Sequence, residues 1–393
     1  MTWLIIEPQF DGHHFVYLER IVQGAIERGI RVIVGVGDDE QGHKTMAGLR
    51  RRLGAGAPAF VVSPLPKPCR GFKGALMLAC NEVRRRGLLK TIYRKALDSG
   101  KIDLVFLPFL DWSLFAISVL GSPFGTTEFA GITMRPKFHF RELGIPAAYD
   151  RLAPAKDRLF RKLLGISTLK RILTIDETLP EYLHGRKAHS ANKVVYFADP
   201  SDARTALSRQ EARGKLGLPE NACIVLAYGY LDARKGIARL LEWITSGAVP
   251  PSVYLLAVGS QAADVETLFA DDTVRRMVRK GRIKVVNEFV SDDDEAVFFR
   301  ASDLVWLGYD NFEDMSGVLV RAAQHGLAVV FKDRGLISRY ARKYGREPQQ
   351  HDQCAPLIAA IPSYLTTRTF EGVTGRPPLP DHSWANAVQL IYG

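Results

Sequence analysis

Short apolar runs alternate with amphipathic stretches along this chain, and the alternation runs through twice. An apolar run of four to six residues between helical stretches reads as a strand covered on both faces, and strands joined by helices run parallel. Residues 3–7, 31–36, 60–65, 104–107, 131–134 and 171–175 read as the strands of a first cycle. Between the first two, Phe15, Leu18, Ile21, Val22 and Ile26 share one helical face, and Gly29 ends that helix. After Phe197-Ala-Asp-Pro-Ser the cycle restarts, with strands at 223–228, 253–258, 283–286, 303–307 and 327–331. Helices are expected at 237–244, 263–280, 316–325, 336–344 and 384–392. The pattern predicts an α/β protein with two parallel-sheet domains, 1–197 and 198–375, and a closing segment, 376–393. Periodicity is weakest over 41–100, around Gly71 and Gly74.

Composition removes several other classes. Hydrophobic residues at 47% and charged residues at 24% exclude a disordered chain. The 34 glycines and 21 prolines have no period, which excludes a collagen-like one. The four cysteines, Cys69, Cys80, Cys223 and Cys354, form no C-x-x-C pair. Neither a disulfide scaffold nor a zinc knuckle is expected, and a reducing, cytoplasmic compartment is. Residues 104–124 are as long as a membrane span and carry one charge, Asp111, but Pro108 and Asp111 interrupt the centre. A buried strand, a turn and a buried helix fit that stretch.

Charge is distributed unevenly. Lys and Arg number 53 against 42 Asp and Glu, a net of +11. Residues 1–200 hold 30 basic and 19 acidic side chains, whereas 201–393 hold 23 of each. Residues 41–100 alone hold 13 basic and 2 acidic. So one-sided a stretch suggests an anionic partner: a membrane surface, a phosphorylated substrate or nucleic acid. The alternative is a solvated face. Arg84, Arg85, Arg86, Lys90, Arg94 and Lys95 share a helical stretch with Leu88, Leu89, Ile92 and Leu97. Residues 84–95 therefore read as a basic amphipathic helix suited to an anionic membrane. In the other reading Leu88, Leu89 and Ile92 are buried and the cations solvate the outer side. Nucleic acid is disfavoured, because only Phe60, Phe72 and Tyr93 offer rings for base stacking.

The chemistry-bearing motifs lie mostly in the second half. The first strand leads into Pro8-Gln-Phe-Asp-Gly-His-His rather than G-x-G-x-x-G, and no Walker A, H-E-x-x-H or G-x-S-x-G sequence occurs. Asp292, Asp293 and Asp294 open a helix, where acids complement the dipole, so no metal site is assigned to them. Arg234 and Lys235 lie between a strand and a helix start, where cations and free N–H groups suit a phosphate. The alternative is two exposed loop cations. A second strand–loop–helix unit places Ser316, Gly317 and Val318 at a helix start, where their N–H groups suit a diphosphate, with Glu313 ahead of them to accept from sugar hydroxyls. Its alternative is an ordinary capped helix.

Together the two segments resemble the GT-B glycosyltransferases of family 4. The shared order is strand, Gly-x-Leu-x-x-x-Lys-Gly and helix, then Ala301-Ser-Asp303, strand, loop Glu, helix, Gly and strand. The resemblance implies two Rossmann-like domains facing a central cleft, with a nucleotide-sugar donor on the C-terminal one. It further implies a glycan or lipid-linked acceptor on the N-terminal one, retaining transfer, and no cofactor or metal. Lys235 matches the lysine that contacts the donor diphosphate. The arginine usual after the loop glycine is Tyr230 here, and Arg234 stands as its substitute from across the loop. Glu313 matches the first of two glutamates spaced eight apart, near the transferred sugar; the second position, which holds the donor ribose, is Arg321. Gly12 and His13 resemble the glycine loop against the donor phosphate. Asp111, after the fourth strand, is placed to orient an acceptor hydroxyl or act as base, or else to cap the helix that follows. A catalytically inactive scaffold and a basic nucleic-acid-binding protein remain the alternatives.

Overall fold

The computed structural model describes residues 1–8, 13–69, 71, 74–134, 136–200, 206–290, 292–347, 359, 361–370 and 379–392. The chain forms two compact units. The first comprises Met1–Leu143, Tyr149–Pro200 and Asp381–Gly393, and the second Gly144–Ala148 and Ser201–Pro380.

The first unit is built on β1 (Thr2–Ile6), β2 (Arg31–Gly37), β3 (Ala59–Ser63), β4 (Leu104–Leu107), β5 (Glu128–Thr133), β6 (Leu169–Thr174) and β7 (Val194–Tyr196). All pair parallel, in the order β3-β2-β1-β4-β5-β6-β7. Trp3 lies opposite both Val32 and Leu104, and Leu4, Ile33 and Val105 are fully buried, as strands covered by helices on both faces require.

The second unit carries β8 (Cys223–Tyr228), β9 (Val253–Val258), β10 (Ile283–Val286), β11 (Leu304–Leu307), β12 (Ala328–Phe331) and β13 (Thr366–Thr369). Their order is β10-β9-β8-β11-β12-β13, parallel except for β13, which runs antiparallel to β12. A buried ionic knot ties this sheet to the helix Arg209–Leu216. Asp303 accepts from Arg209, from Arg213 Nη2 at 2.7 Å and from the Ile224 amide at 2.7 Å. Arg213 also donates to the carbonyls of Ala301 and Ala222, each at 3.0 Å. Burial pushes the Asp303 carboxyl up, against the opposing pull of the Ile224 amide and the two arginines.

Several expectations are decided here. Leu88, Leu89 and Ile92, on the long helix Gly74–Leu97, pack into the core of the first sheet beside Ile33 and Val105. The apolar face of the basic helix is thus used inside the protein, and its exposed cations are left on the outer side. Residues 104–124 form β4, a 3-10 turn Leu110–Trp112 and the short helix Leu114–Leu120. No helix among the described residues is long and apolar enough to cross a membrane.

Two expectations are corrected. The single helix at 263–280 is two, Ala263–Phe269 and Asp272–Arg279, because Asp271 turns its carboxylate onto the amides of Thr273 and Val274 and starts a new one. The expectation that the cysteines form no disulfide framework in a reducing compartment fails: Cys69 and Cys80 are bonded across a Cα–Cα separation of 6.2 Å, Cys223 is disulfide-bonded too, and no free cysteine is found among the described residues. Chain following β3 folds back beside the long helix, so residues eleven apart in sequence meet.

The helix Trp384–Tyr392 belongs to the first unit and packs on the helix His13–Glu27. Trp384 meets Tyr17 edge-on at 4.9 Å, and Arg171 donates to the Leu390 carbonyl at 2.6 Å. A Cβ on Gly24 would lie 2.7 Å from Val388, so this packing needs the glycine.

Candidate functional site

Each sheet reverses its strand order once, at β1 beside β4 and at β8 beside β11. Open α/β sheets bind ligands outside the carboxyl ends of strands at such points.

In the second unit, chain leaving β8 passes Asp232, whose carboxylate receives the Lys235 amide at 3.3 Å and closes a 3-10 turn, Ala233–Lys235. Gly236 follows in a left-handed conformation, φ 66°, and opens the helix Ile237–Thr245. A Cβ there would stand 2.4 Å from the Gly308 carbonyl oxygen, so only glycine lets the loops after β8 and β11 touch. Two hydrogen bonds lock them together: the Asp310 amide donates to the Arg234 carbonyl at 2.7 Å, and the Trp306 indole to the Lys235 carbonyl at 2.9 Å.

This packing turns Lys235 inward, leaving it 7% exposed. Its Nζ donates to the Tyr228 carbonyl, lies 3.3 Å from the Tyr309 hydroxyl and sits 5.2 Å from that ring's centre. Among the described residues no carboxylate lies within ion-pair distance of it. Arg234, half-exposed, stacks 5.0 Å from the centre of the Phe312 ring, with its Nε 3.5 Å from Asp232.

Glu313 is buried in the loop after β11. Its Oε1 accepts from Arg334 Nη2 at 2.6 Å, from Arg334 Nε at 3.0 Å and from the Ala148 amide at 3.1 Å. Gly335, also left-handed, would put a Cβ 2.4 Å from the Glu313 Cα, so the loop after β12 lies directly on this glutamate. Ser316 and Val318 are buried, and the helix Gly317–Gln324 begins with no side-chain cap. Its leading amides and dipole make the positive end that an anion requires. Between the loops, Asp310 accepts from Arg239 and Lys332. Partial burial would raise its carboxyl, but those two cations outweigh that and hold it below the ordinary aspartate value.

Lys235, Arg234, Glu313 and the Ser316–Val318 turn thus stand on loops that share one end of the second sheet. Arg321 is engaged elsewhere, on the buried Glu295 of the helix Asp292–Ala301. Sequence reasoning missed Arg334, Asp310, Tyr309 and Trp306. The first three follow the carboxyl ends of β12 and β11, so the rule that found Lys235 would have found them. Trp306 carries no motif signal; the need of a buried indole for an acceptor is the only hint.

In the first unit, Gly12 lies outside the described residues, and His13 is the first residue of the helix His13–Glu27. Asp111 follows β4 in the 3-10 turn. Its Oδ1 accepts from Thr133 Oγ1 at 2.7 Å and its Oδ2 from the Met134 amide at 2.8 Å. It therefore clips the ends of β4 and β5 together rather than capping the next helix. Nearby, Glu82 accepts from the Ala116 amide at 2.9 Å. Burial pushes its carboxyl up to about 7, with the Asp111 charge adding to the rise. Among the described residues no group of three or more metal-ligating side chains is found, the Asp292 region included as far as it is described.

No protein-family model matches the sequence, and no curated protein does. Solved structures do match the fold. HepE from Anabaena, in complex with UDP and glucose, aligns with a TM-score of 0.56 at 16% identity over 91% of this chain and 89% of its own. A glycosyltransferase from Rickettsia africae aligns with a TM-score of 0.54 at 14% identity, over 91% and 87%. A UDP-GlcNAc 2-epimerase from Methanocaldococcus jannaschii aligns with a TM-score of 0.56 at 12% identity over 100% of both chains. The chain has the α/β fold of the GT-B glycosyltransferases, in a divergent sequence, and its structural neighbours include glycosyltransferases. The epimerase has the same fold, so the fold by itself does not select the reaction.

Proposed function

We propose that this protein transfers a sugar from a nucleotide-sugar donor to a glycan or lipid-linked acceptor, with retention and without a metal. The observation that carries the reading is the buried ammonium of Lys235 at the β8–β11 switch point, with no carboxylate paired to it among the described residues. Holding a cation out of water without a counter-ion costs several kcal/mol, and a diphosphate would offset that cost. Arg234 and the open end of the Gly317–Gln324 helix add charge and donors on the same side. The departing diphosphate would be stabilised by these groups, which are already in place before reaction.

Glu313 in this reading accepts from sugar hydroxyls while Arg334 and the Ala148 amide hold its Oε1 in place. Asp111, fixed by Thr133 and Met134 beyond the end of β4, is the carboxylate this reading gives the role of orienting an acceptor hydroxyl. Arg321 leaves the donor ribose without the carboxylate that the family resemblance implies. That feature favours the second reading, an inactive scaffold.

Thermal shift against UDP, ADP, GDP and UDP-glucose separates the two. A nucleotide at about a hundred times its Kd adds about 2.7 kcal/mol to native stability. Glu313→Gln should then cut turnover far more than nucleotide affinity. No shift with any nucleoside diphosphate would leave the inactive scaffold as the reading.

A further inference from the structure

The first unit has its own ligand-sized space. A cavity of about 470 Å³ opens outside the carboxyl ends of β1, β3 and β4, at that sheet's switch point. Ligand pockets of this fold class occur at such points and in this size range. Ile6, Leu65, Leu89, Leu107, Phe109 and Trp112 supply an apolar wall, and the two rings meet edge-on at 5.0 Å. Among the described residues the charged ones lining it are all cations: Lys67, Arg84 and Arg85.

These cations are held in place. Arg84 donates to the Lys67 carbonyl, which brings both to one rim. That rim, Pro66-Lys67-Pro68, is anchored by the Cys69–Cys80 bond and by the Cys69 amide donating to Asn81 at 2.8 Å. Arg85 lies 5.0 Å from the centre of the Trp112 ring. Among the described residues no carboxylate forms an ion pair with any of the three. Of the nearby acids, Glu82 accepts from the Ala116 amide and attracts Arg85 electrostatically, and Asp111 accepts from Thr133 and Met134, which leaves Lys67 and Arg84 as the cations facing a ligand.

A bare sugar would use only the polar rim of Asn81, Ser113 and the cations and would leave the leucine and aromatic wall facing its hydroxyls. Inorganic phosphate alone would waste the apolar wall. Both halves are used by a molecule with an alkyl chain ending in phosphate. The helix that supplies Arg84 and Arg85 also exposes Leu76 and Leu78 one to two turns earlier, at 68% and 62%, which suits a chain longer than the cavity.

We propose that this cavity binds an alkyl-chain phosphate as the acceptor of the transfer: a phosphate oxygen bonds to the anomeric carbon of the sugar as the bond from that carbon to the donor diphosphate breaks and the nucleoside diphosphate leaves, so that Asp111 has no acceptor hydroxyl to orient. Lys67 and Arg84 hold the phosphate, and Trp112 with its aliphatic neighbours covers the chain. The word acceptor rests on the transferase reading; the binding site does not.

Calorimetric titration of the whole protein with monomeric n-decyl phosphate tests it, alongside 1-decanol and inorganic phosphate. Decyl phosphate should bind at least about tenfold tighter than either fragment, and more weakly as salt rises. The double substitution Lys67→Ser, Arg84→Ser removes two exposed side chains, so folding survives. It should weaken decyl phosphate about tenfold or more and leave decanol and UDP unchanged. Equal binding of decyl and inorganic phosphate, an unaffected double variant, or no binding of decyl phosphate would each overturn the proposal. Decyl phosphate binding without any nucleotide binding would keep this site and defeat the transferase reading.

Discussion

Two cations are buried in the second unit and are treated in opposite ways. Arg213 meets the Asp303 carboxylate and four backbone carbonyls, those of Pro219, Glu220, Ala222 and Ala301, in a region that joins the helix Arg209–Leu216 to β8 and β11. Lys235 meets one carbonyl and one hydroxyl at the switch point, and no carboxylate among the described residues. The same physical cost of burying charge is met internally at Arg213 and left open at Lys235. Pairing of that kind marks a charge that belongs to the fold; on the proposed function, its absence is the mark of one kept for a ligand.

The largest effect that would break this contrast is at the paired cation. Asp303→Asn leaves Arg213 buried without its counter-ion and should cost about 3–5 kcal/mol in urea unfolding of the second unit. A loss under about 1 kcal/mol would erase the distinction. Next, Lys235→Met should weaken nucleoside diphosphate binding by about 1.5–3 kcal/mol while the unfolding midpoint of the free protein holds or rises. A fall in that midpoint of the Asp303→Asn size would make Lys235 a structural cation too.

Glu82 carries the comparison to a buried acid in the first unit. Its folded pKa, about 7, lies above the ordinary 4.5. The folded state therefore holds an extra proton between those values, and stability falls as pH rises through that window and is flat above it. Glu82→Gln keeps the acceptor for Ala116 and should flatten the fall, a gain of about 2 kcal/mol at pH 8 by denaturant titration. A pH profile identical to the parent would show that the carboxyl is solvated.

The smallest effect is at Asp310, whose pKa is lowered by Arg239 and Lys332. Its stabilisation is present above the ordinary aspartate value and lost as pH falls through the lower folded one. Asp310→Asn should cost less than about 1 kcal/mol at pH 7 and nothing at the acid end of the titration.

How much of this was legible follows from what each residue type broadcasts. β4, β8, β9 and β10 were read residue for residue, because unbroken apolar runs bounded by turns have no other use in an α/β chain. β13, Thr-Thr-Arg-Thr, was missed: an antiparallel edge strand buries one side and shows no apolar run. The break at Asp271 was missed because a capping aspartate looks like any other polar residue within a helical period. Lys235 and Glu313 were visible as charges beside helix starts. Arg334 stands beside a helix start in the same way; only its partner was hidden, because the contact with Glu313 depends on Gly335 bringing the loop after β12 onto that residue. Cys69–Cys80 escaped a rule that looks only at close spacings.

The helix Trp384–Tyr392 has a consequence for synthesis. It covers Gly24 and Tyr17, which leave the ribosome long before it, for it is translated after the whole of the second unit. At roughly 5–20 residues per second, the first sheet waits on the order of ten seconds or more for the piece that seals it. The unit that begins first is therefore completed last, and during that interval the surface around Gly24 is open to chaperones.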